Sequence, residues 1–200
     1  MPNQLLQPTA PGVIFTYDTG NFMQNDYTLW RTYMFRQLDD FVKTYENLTE
    51  GSARVLAILS DNNLEQPVAQ GHRTLGQIAW HIVTTISEMM NRTGLALSAV
   101  DHKSSPPASA LEITNAYKNA SKELIDSVKA NWSDDSLLQT DDLYGQQWTR
   151  GMTLAALISH EVHHRGQMTV LLRQAGQKVP GVFGPSKEEW SKFGMEAPPY

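Results

Sequence analysis

Four long stretches of this 200-residue chain repeat their apolar residues three and four apart, the spacing that lines one face of an α-helix. They run from about Asp26 to Ser60, from Thr74 to about Thr93, from Ser109 to about Ala130, and from about Thr153 to Ala175. Segments of this kind must bury their stripes against one another, and four of them in one domain predict an all-α four-helix bundle. In the last segment Leu157, Met168, Leu171 and Ala175 share a face with His160 and His164, which stand one above the other at 3.6 residues per turn. Polar groups on a core-facing stripe need partners. Two neutral imidazoles one turn apart suit a divalent metal.

The segment ends carry their own signals. Thr74 with Gln77, and Ser109 with Glu112, have the spacing of capping boxes, in which side chains satisfy the free amides of a helix start. Thr153 is placed to cap the fourth helix, and Gly176 followed by Pro180 to end it. Gly51 marks a kink or a split in the first segment, and Asp61-Asn62-Asn63 its stop. Residues 1–24 read as an extended N-terminal arm, residues 25–180 as the bundle and residues 181–200 as a C-terminal tail wrapping it. Trp132 to Arg150 reads as polar connecting chain, and no strand pair is expected.

An apolar fraction of 40% with 18% charged residues is that of a globular domain. The net charge of −5 and the lack of a Lys/Arg cluster argue against nucleic acid as a partner. No apolar run is long enough for a membrane span. The first basic residue is Arg31, so no charged leader precedes an apolar segment, and a cytoplasmic protein is expected. Without a single cysteine, a metal site must use N and O ligands, and thiol chemistry must use a thiol from outside.

A third ligand is needed for firm metal binding. His81 lies beside Thr85 at the edge of the Ile78, Ile82, Ile86, Met89 stripe, where the fourth helix can face it. His72 and His102 fall outside the helices, and His163 points to the rim of the His160 face. Three nitrogens would leave positions open for water or substrate, as catalytic sites do. A competing motif overlaps: His160-Glu161-Val162-His163-His164 also satisfies H-E-x-x-H, with Glu161 as base and Glu188 or Glu189 as third ligand. The absence of candidate strands and of the downstream Gly/His extension argues against it.

The block His160-x-x-x-His164-Arg165-Gly166-Gln167, then Leu171-Leu172-Arg173-Gln174-Ala175-Gly176 and Pro180, together with Leu75-Gly76-Gln77-Ile78-Ala79-Trp80-His81, resembles the signature of the DinB-like superfamily. The likeness covers about Arg54 to Pro180. It implies a four-helix bundle holding a divalent metal on His81, His160 and His164. The activities known in that superfamily are mostly thiol-dependent, bacillithiol S-transferases and mycothiol-dependent isomerases among them. The family name records induction by DNA damage, which implies a role in stress response and says nothing about binding DNA.

The first functional expectation is therefore a metal-dependent transferase using a low-molecular-weight thiol on a small-molecule substrate. Such a thiol, with a pKa of about 8.5, is ionised when it meets a divalent cation. A second is a hydrolase or isomerase working through an activated water, with Glu88, Glu161 or Tyr144 as acid or base. A third is a metal-stabilised protein that binds a ligand or senses stress without turnover. Zinc or nickel leads the metals, with manganese, iron and cobalt also open to such ligands. Gly166 shares a face with Ala155 and Val162 opposite the histidines. A glycine inside a helix costs about 1 kcal/mol, so close approach is expected there, within the bundle or in a homodimer. Arg165 is expected to form an ion pair that fixes the helix, and Trp148 and Arg150 to line the cleft mouth.

Overall fold

The computed structural model describes residues 35–199. Four long helices stand among them: α1 (Leu38–Leu56), α2 (Leu75–Met90), α3 (Ala110–Asn131) and α4 (Arg150–Gln174). On α1 the buried side chains Phe41, Val42, Tyr45, Leu48, Val55 and Leu56 follow the three-and-four spacing of an amphipathic helix. Burial of each large apolar side chain contributes roughly 1.5–3 kcal/mol, and such stripes from all four helices make one core. The N-terminal arm, residues 1–24, lies outside the described residues, as does the start of the first predicted segment at Asp26.

The caps explain where α2 and α3 begin. Thr74 N–H donates to Gln77 Oε1 at 3.0 Å, and Gln77 N–H returns the bond to Thr74 Oγ1 at 3.4 Å. Ser109 Oγ accepts from the Glu112 amide at 3.3 Å. For α4 the cap is Thr149, whose hydroxyl accepts from the Met152 amide at 3.2 Å. Thr153 is instead a fully buried residue of the first turn, bonded back to the Thr149 carbonyl at 3.3 Å. The helix starts early because a strand feeds straight into it. Gly176, at φ 77°, ends α4 in the left-handed conformation that glycine adopts freely.

That strand corrects the expectation of plain connecting chain. β1 (Thr140–Leu143) and β2 (Gln146–Thr149) pair antiparallel, Thr140 opposite Thr149 and Leu143 opposite Gln146. Their side chains do not alternate cleanly, so period-2 patterning misses them. The turn makes the pair: Tyr144 at φ 58° and Gly145 at φ 80° form the two-residue connection that suits strand twist.

Helix direction follows from contacts at the two ends. Asp61, just after α1, accepts a bond from the Ala110 amide at the start of α3 at 2.8 Å. Leu64 packs against Gly76 at the start of α2. So α2 and α3 leave the end where α1 finishes, and both run against it. Gly151 of α4 sits by Phe35 just before α1, and Arg165 reaches Leu48 and Ser52, so α4 runs with α1. The order is up-down-down-up. Because α2 and α3 are parallel, the chain between them must return the length of the bundle. It does so against α2, where Ser87 Oγ donates to the Val100 carbonyl at 3.0 Å and Trp80 Nε1 to the Ser104 carbonyl at 2.9 Å.

Gly51 neither kinks nor splits α1. It is buried inside a continuous helix, and a Cβ there would lie 2.8 Å from Val182 Cγ1 and 3.2 Å from Arg165 Nη1. Its role is close approach by the tail and by α4. Gly166, where close approach was expected, is exposed, and a Cβ there would meet nothing within 4 Å. None of the described helices is long and apolar enough to cross a membrane.

Candidate metal centre

Antiparallel packing of α2 on α4 brings His81 to the two α4 histidines. His160 Nε2 lies 3.1 Å from His81 Nε2 and 3.1 Å from His164 Nε2, and all three ligand atoms fall within 4.8 Å of one another. A neutral ring nitrogen carries one hydrogen or one lone pair in the ring plane, so His160 Nε2 can complete one hydrogen bond and not two. The close triangle is therefore poorly explained by hydrogen bonding among the rings. It suits a divalent cation that the three nitrogens would share. The donor set, three imidazoles with His164 buried and the other two half-buried, fits a borderline divalent ion.

The protonation states agree with that use. Burial pushes His81 down to about 4, helped by the positive charge of Arg73 and by His164. Burial likewise pushes His160 down to about 4, with His164, His81, His163 and Arg73 acting in the same sense. His164 is lowered too, chiefly by burial. At neutral pH the three rings are uncharged and no proton need leave before a cation enters.

Gln167, one turn beyond His163 on α4, orients His164. His164 Nδ1–H donates to Gln167 Oε1 at 2.7 Å, which leaves the His164 Nε2 lone pair facing the other two rings. The amide nitrogen of Gln167 in turn donates to His163 Nε2 at 3.2 Å. His163 is exposed at the rim, and His72 and His102 are exposed in loops. The sequence pattern alone assigns Gln167 no role. Its spacing of three from His164 and four from His163 was the available signal. Arg73, whose charge acts on all three ligand candidates, was missed; it lies in a loop before the Thr74 cap, where no helical pattern points to it.

The three acid–base candidates go to two places. Glu88 and Tyr144 meet: Tyr144 Oη donates to Glu88 Oε2 at 2.6 Å, and Arg92 Nε donates to Glu88 Oε1 at 3.0 Å. The Arg92 guanidinium also lies over the Tyr144 ring at 4.7 Å. Burial and the Glu88 carboxylate push Tyr144 up to about 12, so its hydroxyl stays protonated and pins the hairpin to α2. Trp148 sits edge-on to Tyr144 at 6.3 Å. Arg150 pairs with Asp141 across the hairpin, Nε to Oδ2 at 2.9 Å, and lies over the Trp132 ring at 5.0 Å.

Glu161 goes elsewhere, and the H-E-x-x-H reading fails with it. Glu161 is 1% exposed and accepts from Ser52 Oγ and Tyr117 Oη, each at 2.5 Å, on the side of α4 that faces α1 and α3. A step of one residue from His160 turns the side chain about 100° around the helix. Burial raises its pKa, while Ser52, Tyr117 and Arg165 oppose the rise. Glu188 is held by Arg173, Nη1 to Oε1 at 2.6 Å, and Glu189 accepts from the Gly181 and Ser186 amides at 2.8 and 3.1 Å. Both bind the tail to itself and to the end of α4.

Comparisons with known proteins show the family and the fold. A model of the DinB family matches residues 34–197. The uncharacterized protein YrdA of Bacillus subtilis is 43% identical over 165 residues, 82% of this chain and 99% of that protein. The crystal structure of a DinB-like protein from Bacillus cereus is similar with a TM-score of 0.73 and 37% identity, over 75% of this chain and 100% of that one. YfiT from Bacillus subtilis, described as a probable metal-dependent hydrolase with an unusual four-helix bundle topology, shares the fold at a TM-score of 0.57 and 15% identity. That match covers 74% of this chain and 92% of YfiT.

Proposed function

The chain belongs to the DinB family, and from that premise we propose that it is an enzyme dependent on one divalent cation held by His81, His160 and His164. Its reaction is transfer of a low-molecular-weight thiol to a small electrophilic substrate. The observation that supports this best is the convergence of three uncharged imidazole nitrogens, which among the described residues are the whole of the cluster. A divalent cation held by His81, His160 and His164 would supply Lewis-acid chemistry, lowering the pKa of a thiol or water toward neutral pH.

The chain's own residues prepare that chemistry. Gln167 holds the His164 tautomer. Arg73 places positive charge near the centre, which draws an anionic nucleophile or substrate toward it. Glu88, two turns along α2 from His81, is engaged by Arg92 and Tyr144. With no cysteine in the chain, the thiol comes from solution.

The test is a rate. Protein loaded with zinc or nickel is mixed with cysteine, glutathione or dithiothreitol and a chromogenic aryl halide. A metal-dependent rate that rises with thiol and disappears in His160→Ala is the expected result. Equal rates in wild type and His160→Ala for every thiol would end the thiol reading. A second reading has one supporting observation, the description of YfiT as a probable metal-dependent hydrolase. It predicts metal-dependent cleavage of a chromogenic ester with no thiol present.

A further inference from the structure

A second polar cluster lies on the side of α4 away from the histidines. Glu161 and Arg165, one turn apart, are 1% and 3% exposed. Ser52 Oγ joins them, donating to Glu161 Oε1 at 2.5 Å and accepting from Arg165 Nη1 at 3.0 Å. Arg165 Nη1 also donates to the Leu48 carbonyl at 3.1 Å. The other terminal nitrogen, Nη2, is buried and has no hydrogen-bond partner among the described residues. Arginine keeps its charge in proteins, and a buried guanidinium donor left unpaired is destabilising.

Arg165 lines a groove of about 450 Å³ between α1 and α4, a volume that a small organic molecule fills. Ile158 and Val162 from α4 and Val182 from the tail give it apolar walls. Phe183, also lining it, lies over the Arg165 guanidinium at 5.2 Å and is 83% exposed, so little packing holds its ring in place. Among the charged residues lining the groove are Arg54 and Glu50. Glu50 and the buried Glu161 behind Ser52 offset much of the charge of Arg54 and Arg165, so recognition in the groove rests on the unpaired Nη2 donor. Ile158, Val162 and Arg165 fall on the opposite face of the helix from His160 and His164, so the groove and the metal centre are separate.

We propose that this groove binds a carboxylate carried on a small apolar body. The carboxylate takes the unpaired donor of Arg165, and the apolar part lies against Ile158, Val162 and Val182 beneath Phe183. Guanidinium and carboxylate match as forks, and the walls exclude water from the pair.

Benzoate is the probe, titrated into metal-loaded, isotope-labelled full-length protein and followed by the guanidinium resonance of Arg165. The expected result is a saturable shift that benzyl alcohol, the neutral counterpart, does not produce. Arg165→Gln should weaken benzoate binding roughly tenfold or more, the loss of a charge-assisted hydrogen bond. Because that variant removes a buried group, Arg54→Gln and Phe183→Ala are measured beside it. Both change exposed positions, and both should weaken binding several-fold with the unfolding midpoint kept. Binding should survive in His160→Ala. No saturable shift would overturn the proposal, and so would equal binding of benzyl alcohol. Loss in His160→Ala with full retention in Arg54→Gln and Phe183→Ala would overturn it too, since benzoate would then sit on the cation.

Discussion

Gln167 Oε1 accepts a hydrogen bond from His164 Nδ1 at 2.7 Å, and that bond decides which nitrogen of His164 faces His81 and His160. Removing such a partner behind a metal-binding histidine typically weakens the metal about 10–100-fold. Gln167→Leu should therefore weaken zinc or nickel binding in that range, measured by competition with a chelator. Gln167 is half-buried, so the unfolding midpoint of the metal-free protein should move little. An unchanged affinity would mean that packing alone sets the His164 tautomer.

The depressed histidines make the metal-free protein sensitive to acid. His81 and His160 titrate at about 4 when folded against 6.5 when free. Between those values the unfolded chain binds protons that the folded chain refuses, so stability falls as protons are added. Their contribution is intact above pH 6.5 and is lost as the pH drops toward about 4. Thermal unfolding of the metal-free protein should show its midpoint falling across that window, with a shallower fall in His160→Ala. Identical slopes in the two proteins would show that the fall comes from other groups.

Glu161 is held by hydroxyls, and taking one away should be felt in stability. Tyr117→Phe removes the donor at 2.5 Å from Oε1 while Oε2 already lacks a partner among the described residues. A buried acceptor stripped of a partner costs about 1–3 kcal/mol, to be read from urea unfolding. Metal stoichiometry should stay at that of the wild type in both Tyr117→Phe and Glu161→Gln, because this network faces α1 and α3. A metal-free Glu161→Gln protein would tie the carboxylate to the centre after all.

Gly51 is a contact point between α1, α4 and the tail. Gly51→Ala places a Cβ 2.8 Å from Val182 Cγ1 and 3.2 Å from Arg165 Nη1. Overpacking of this kind costs about 1–3 kcal/mol, against the small gain of alanine in a helix interior. Adding Val182→Ala should return most of the loss, so the double variant should unfold nearer to the wild type than Gly51→Ala does. Additive losses would place the strain at Arg165 instead.

Much of the helical frame is legible in the chain. The Thr74–Gln77 pair marks the start of α2 to the residue, because a capping box is a contact between residues three apart. Ser109 does the same for α3. The start of α4 misleads: Thr153 and Thr149 both qualify by type, and what selects Thr149 is the hairpin that ends there. The hairpin itself is hidden because its strands are short and polar, and only the Tyr144-Gly145 turn signals it.

The candidate site divides in the same way. That His160 and His164 share a face is a property of one helix, written in a spacing of four. That Glu161 turns from that face is equally local. Where each face then points is not local. The sequence alone determined the helical stripes, the caps of α2 and α3 and the pairing of the two α4 histidines, since these depend on residues within a turn of each other. Only the tertiary structure decided that α2 packs antiparallel on α4 with His81 Nε2 3.1 Å from His160 Nε2. It likewise decided that Glu161 ends among Ser52 and Tyr117, and that the buried Arg165 carries its guanidinium beneath the Phe183 ring. Such pairings join segments tens of residues apart, and they are selected by how the apolar stripes of all four helices bury together.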